Sequence, residues 1–188
     1  MPGKEQATPI RDAAVMRALA HPARLSLLDH LGHSGPATAT ECAEVVGLSP
    51  SATSYHLRAL ARAGLVEAAP GRGDGRERLW RSTAGSYEID SVADLDPEAR
   101  EAMHGVLDSL LVRDEARARQ YLLRADDEPR AWQDAAFFAD ATLLVTAGEL
   151  KALGDALQEL LGPYRKRNRM DSPAGARTVS AVVRAFPA

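Results

Sequence analysis

Residues 40–64, TECAEVVGLSPSATSYHLRALARAG, constrain the fold more than any other stretch of this 188-residue chain. They read as two short helices joined by a tight turn. Ala43 and Gly47 stand four apart, and a small residue followed by a turn glycine is the spacing such a pair requires. Gly47 enters the left-handed backbone region without the clash a Cβ would bring, and so ends the first helix. Ser49 then offers its hydroxyl as an N-cap, and Pro50 takes the first helical position, where its missing N–H is no loss. Cys42, Val46, Leu48, Thr53 and Leu57 are the positions expected to be buried and to lock the helices across the turn. Ser51, Ala52, Ser54, Tyr55 and Arg58 are left facing outward. The pattern predicts a helix-turn-helix whose second helix is presented to a partner.

The flanking sequence extends this unit on both sides. Residues 1–9 read as frayed. Ile10, Ala13, Ala14, Met16 and Leu19 predict a helix over 10–20, and Pro22 opens a second one, with Leu25, Leu28 and Leu31 at three-residue spacing and Gly32 as its stop. SGPATAT reads as a turn into the helix-turn-helix. Beyond it, LVEAAP (65–70) and ERLWRS (77–82) are short strand candidates around GRGDG (71–75), whose glycines supply the positive dihedrals of a hairpin tip. Arg72, Arg76, Arg78 and Arg81 lie on this hairpin. A basic hairpin behind a recognition helix is a wing: a strand pair able to lie along a phosphate backbone, with an arginine free to enter the minor groove. Trp80 is expected to pack the hairpin onto the helices.

The formal net charge of −3 does not suggest a nucleic-acid binder, but the average hides a split. Residues 1–84 carry ten Lys/Arg against eight Asp/Glu, net +2, and residues 85–188 carry thirteen against eighteen, net −5. The helix-turn-helix sits in the positive half. No apolar run approaches the length needed to cross a bilayer, and MPGKEQATPIRD lacks an apolar signal core, so a cytoplasmic protein is expected. Cys42 is the only cysteine, which excludes an intramolecular disulfide and an all-cysteine metal site. There is no glycine-rich phosphate loop, no carboxylate pair in an apolar setting and no nucleophile–base pair, so no catalytic residue is assigned and no cofactor is expected.

RALAHPARLSLLDHL, then ECAEVVGLSPSATSYHLRALARAGLVE, then GRGDGRERLWR, resembles the ArsR-type winged-helix transcriptional regulators over roughly residues 12 to 83. The most specific parts are the HPARLSLL opening of the second helix and the S-x-H-L-x-x-L-x-x-x-G-L-V block at 54–66. The resemblance implies a homodimer that represses by occluding a promoter. On that reading Ser51, Ser54, Tyr55 and Arg58 face double-stranded DNA, with Arg58 and Arg62 placed on phosphate more than on bases. Arginine can pair bidentately with guanine, whereas serine hydroxyls position more than they specify. The wing adds Arg72, Arg76 and Arg78. His56 matches the histidine such regulators carry at this place, and it is read as mainly structural.

The family resembled includes metalloregulators, so metal sensing has to be weighed. The paired-cysteine motif of such sensors is absent from TECAEVV, and Cys42 falls on a buried position. Glu101, His104 and Asp108 share a helix face, but a single histidine is too few for an interhelical site. Asp29, His30 and His33 form another weak cluster near a helix end, where histidine is favoured in any case. No metal ligand is assigned.

Residues 97–124 read as a long helix with Met103, Val106, Leu107, Leu110 and Leu111 on one side, suited to a two-fold interface. ADDEP (125–129) breaks it. Trp132, Phe137 and Phe138 are candidate contacts for a small-molecule effector. ATLLVT (141–146) and TVSAVVRAF (178–186) are strand candidates. Between them, Thr146 and Glu149 form a capping box for a helix bearing Leu150, Leu153, Leu157, Leu160, Leu161 and Tyr164, with RKRNR at its end. The expected fold is mainly α (α+β): a winged helix-turn-helix at 10–84, then a dimerisation helix and a small α+β extension at 85–188. The function expected is sequence-specific DNA binding by a homodimeric repressor at an inverted-repeat operator, possible effector control included. The alternatives are a metal-responsive repressor and a winged-helix protein-interaction module.

Overall fold

A computed structural model describes residues 8–71, 78–83, 87–89, 95–165 and 173–187. In chain order these form β1 (Thr8–Ile10), α1 (Ala13–Leu19), α2 (Pro22–Ser34), β2 (Ala37–Thr38), α3 (Ala39–Val46), α4 (Pro50–Arg62), β3 (Val66–Ala69), β4 (Leu79–Ser82), β5 (Tyr87–Ile89), α5 (Pro97–Leu122), α6 (Arg130–Ala135) and α7 (Ala147–Leu161). Single 3-10 turns lie at Ala125–Asp127 and Gly162–Tyr164. The fold is mainly helical with small sheets, as expected. The chain divides into two compact units, Met1–Glu115 and Ala116–Ala188.

The first unit is built around α2 and the α3–α4 pair. Met16, Leu27, Leu57 and Leu60 are fully buried, joined by Leu25, Leu31, Val66 and Trp80. Removing that much apolar surface from water is the main force holding the unit together. The hairpin β3–β4 is antiparallel, pairing Glu67 with Arg81 and Ala68 with Trp80, and β2 adds a third strand through Ala37–Trp80 and Thr38–Leu79. β1 and β5 form a separate parallel pair. The N-terminal half of α5 belongs to this unit, because Ala99, Ala102, Met103 and Val106 are part of its core. Gly105 allows the close approach: a Cβ there would stand 3.2 Å from that of Ala20.

Several boundaries differ from the sequence expectation. α1 begins at Ala13, not Ile10, because the Asp12 carboxylate accepts the Ala14 and Val15 N–H groups as an N-cap and Ile10 is in β1. Gly32 does not stop α2; the helix continues to Ser34, and Gly35, with φ 81°, ends it. The segment read as a turn contains β2 and the cap of α3. Thr38 accepts from the Glu41 N–H while the Glu41 carboxylate accepts from the Thr38 N–H, a capping box legible in the T-x-x-E spacing. The expected fraying at 1–9 concerns residues that, up to Ala7, lie outside the described ones.

The second unit is less packed. Among its described residues none is buried, and Leu144, Phe137, Phe138, Val179 and Phe186 are exposed. The Thr146–Glu149 capping box is present and starts α7. Residues 141–146 and 178–186 are not strands: alternating apolar sequence becomes a strand only when a neighbour completes its hydrogen-bond ladder, and the described residues provide none.

Candidate nucleic-acid interface

The turn into α4 is built as its residues dictate. Gly47 adopts φ 65°, ψ 32°, and its N–H donates to the Ala43 carbonyl. Ser49 caps α4 through a 3.3 Å bond from the Ala52 N–H, with Pro50 at the first position. Thr53, His56, Leu57 and Leu60 turn inward. Of the five residues expected to lock the turn, Cys42, Thr53 and Leu57 are fully buried, Val46 is half-buried, and Leu48 is exposed. Leu48 follows the left-handed glycine directly, where the chain is turning outward.

Ser51, Tyr55, Arg58 and Arg62 are exposed and Ser54 is half-buried. Their spacing along α4 puts all five on one face. Of the wing residues singled out, Arg78 is described and exposed, whereas Arg72 and Arg76 lie outside the described residues.

The described arginines of the first unit include three that are ion-paired and three on or beside the outer face of the helix-turn-helix that are not, while Arg24 donates to His56 and the Ala18 carbonyl and Arg100 to the Leu95 carbonyl. Arg17 is paired with Glu98 at 2.8 Å, Arg81 with Glu67 at 2.6 Å, and Arg113 with Asp29 at 2.8 Å and Asp114 at 3.0 Å. Arg58, Arg62 and Arg78 have no carboxylate partner among the described residues. An exposed guanidinium without a counter-charge keeps its full field and all five donors for an external anion. Arg58 and Arg78 also share a surface groove of about 260 Å³, lined with Thr38, Thr40, Ser54 and Trp80. The groove joins the first turn of α3, the middle of α4 and β4. Thr38, Thr40 and Trp80 were not singled out as functional by sequence; the Thr38–Glu41 spacing marks this helix start, but nothing local to Trp80 shows that its ring faces Arg78.

Behind α4 lies a histidine cluster. His21 caps α2, its Nδ1 accepting from the Ala23 N–H at 3.1 Å. The His21 and His56 rings stand 4.4 Å apart, Arg24 Nε donates to His56 Nδ1 at 3.4 Å, and Tyr55 meets the His56 ring edge-on at 5.5 Å. Burial first, and then the neighbouring positive charges, hold both imidazoles below the usual histidine range. His56 therefore supports the recognition helix from its inner side as a neutral ring.

Metal-binding chemistry finds little support in the residues weighed for it. Burial, reinforced by the Glu41 charge, pushes the Cys42 thiol up to about 11, which disfavours the thiolate a metal requires. Asp29 is paired with Arg113, and His33 Nδ1 lies 2.6 Å from the Asp29 carbonyl oxygen. Among the described residues no group of three or more His, Cys, Asp or Glu is placed to hold an ion, and no helix is long and apolar enough to cross a membrane.

Residues 19–68 match the model of a helix-turn-helix domain family. The chain is 40% identical over 62 residues to the HTH-type transcriptional regulator YgaV of Escherichia coli, covering 33% of this chain and 63% of that protein. It is 44% identical over 54 residues to the HTH-type transcriptional regulator NmtR of Mycobacterium tuberculosis, covering 29% and 44%. The matched segment thus spans less than two thirds of either relative. Among solved structures, that of RV1404 from Mycobacterium tuberculosis aligns over 80% of this chain and 83% of that one, with 21% identity and a TM-score of 0.31.

Proposed function

We propose that this chain, whose N-terminal domain is a winged helix-turn-helix of the ArsR type, is a DNA-binding transcriptional regulator. It acts as a homodimer that represses by occupying an inverted-repeat operator. The observation that carries the reading is the sorting of the arginines: Arg58 and Arg62 on the outer face of α4 and Arg78 just before β4 lack carboxylate partners among the described residues, while Arg17, Arg81 and Arg113 are ion-paired. In this mechanism α4 enters the major groove. Ser51, Ser54 and Tyr55 meet base edges and sugars, and Arg58 and Arg62 reach phosphates. Arg72, Arg76 and Arg78 run along the backbone beside them.

The dimer supplies the second half-site reader. Leu107 and Leu111 are exposed on α5, one turn apart, while Met103 and Val106 on the same helix are buried. That uncovered stripe is suited to a two-fold helix pair. An effector acting through residues 85–188, with Trp132, Phe137 and Phe138 as aromatic contacts, would make the regulator responsive.

Selection of bound duplexes from a random pool, at two salt concentrations, tests this reading. An inverted repeat with half-sites about one helical turn apart is expected, with affinity falling steeply as salt rises because phosphate contacts release counterions. Arg58→Ala should reduce the magnitude of the log–log salt slope by about 0.9, while Arg81→Ala, which breaks only a cross-strand pair, should leave it unchanged. Absence of duplex binding at low salt would end the proposal and favour a protein-interaction module.

A further inference from the structure

The groove between α3, α4 and β4 contains a feature that the DNA-binding reading alone does not require. Trp80 is almost fully buried, yet the Arg78 guanidinium carbon lies 5.3 Å from the centre of its ring. Arg78 itself is exposed and has no carboxylate partner among the described residues. A long arginine side chain at the loop end of a hairpin strand would ordinarily sample many rotamers, and ordering it on binding costs entropy. The negative face of an indole is the best aromatic surface for a cation. Trp80 is itself held from two sides, paired with Ala37 on β2 and with Ala68 on β3, so its ring is a fixed platform.

The same groove is lined by Arg58 and the hydroxyl residues Thr40 and Ser54. Thr40 is exposed in the first turn of α3, where backbone dipoles favour an anion. Glu41 of that turn is turned back into the cap by its bond with the Thr38 N–H. Two guanidiniums and two hydroxyls around one concave surface match a tetrahedral monoanion esterified to a sugar on either side: one backbone phosphate.

We propose that Trp80 is a positioning residue. It holds Arg78 over the groove, so that Arg78 and Arg58 close on a single DNA phosphate at the junction of the two helices and the wing. The proposal rests on the DNA-binding reading above and adds to it a residue that touches no DNA. Arg78 acts from the loop end of β4, already held against the Trp80 ring.

Replacing the tryptophans of the full-length chain with fluorinated tryptophan tests this, because fluorine withdraws the ring's negative face while preserving its shape and packing. Duplex affinity should fall by roughly two- to fivefold, the ratio expected for an exposed cation–π pair. In the Arg78→Ala variant, whose own salt slope should be about 0.9 shallower, fluorination should change nothing. Trp80→Leu, assayed well below its melting temperature, should reproduce the Arg78→Ala salt slope, and the double variant should match either single one. A purely structural tryptophan would lower affinity without moving the slope, and its loss would add to that of Arg78. Salt-dependent binding by the unmodified chain together with a silent fluorotryptophan series, or additive losses in the double variant, overturns the positioning role alone. No binding by the unmodified chain overturns both the clamp and the reading beneath it.

Discussion

At the residue scale, His21 and His56 connect the proposed recognition helix to solution pH. Both Nδ1 atoms accept hydrogen bonds, from the Ala23 N–H and from Arg24, so both rings must be unprotonated there to keep those bonds. Among the described residues, the groups facing His56 are His21, Arg24 and Tyr55, and none supplies a negative charge. A histidine whose folded pKa lies below its unfolded value takes up fewer protons in the native state than in the unfolded one. Stability is therefore full above the ordinary histidine range, near 6.5, and is lost as pH falls from there through the lowered folded values. Thermal melts from pH 7.5 down to 5 should show this decline. In His56→Gln, which keeps a polar group but cannot titrate, the decline should be shallower; an identical pH profile would remove the histidine pair as its cause. Thr53 presents a different case, for its buried Oγ1 finds no hydrogen-bond partner among the described residues. An unsatisfied buried hydroxyl is costly, so Thr53→Val should stabilise the fold by up to about 1 kcal/mol, as a shift in urea midpoint would reveal.

At the scale of elements, the helix-turn-helix was legible because its signals are local. A left-handed glycine, a serine cap and a proline at the first helical position each act on their own neighbours, and each does so where the sequence placed it. Ser49→Ala should cost about 1 kcal/mol by denaturant unfolding, and it should weaken duplex binding, because the same cap aims the first turn of α4. The errors arose where two local signals compete. Gly32 carries a helix-stopping residue type, yet α2 continues because burial of Leu31 and its neighbours outweighs one glycine's propensity cost. The Asp12 and Thr38 caps are ordinary cap residues by type, but each stands beside a competing signal, apolar Ile10 before one and the turn residues Gly35 and Pro36 before the other, that points to a different boundary. Strand expectations at 141–146 and 178–186 failed for a non-local reason: a strand exists only with its partner, and no periodicity names that partner.

At the scale of the molecule, the two units differ in how well they are packed. The first has a buried core to which α5 contributes; in the second, no described residue is buried and many leucines, valines and phenylalanines are exposed. Exposed apolar surface on this scale marks contact surfaces more often than bare solvent faces. On the proposed reading, Leu107→Lys with Leu111→Lys should convert a dimer into a monomer by analytical ultracentrifugation. Operator affinity should fall with it, and the thermal stability of the first unit should change little, because neither side chain is in its core. A dimer unaffected by both charges would move the interface elsewhere.

What the sequence determined by itself was the helix-turn-helix, the strands of the basic hairpin and the outward face of α4, since caps, turn glycines and short-range periodicity act within a few residues. The tertiary structure alone decided which cations are available. Arg81 and Arg78 are both hairpin arginines, and nothing in their local sequence separates them. Cross-strand register sets Arg81 against Glu67 and places Arg78 over Trp80, beside the groove shared with Arg58. Pairing across strands brings together charges that the chain keeps apart, and it is this long-range geometry that leaves an anion-binding surface uncovered.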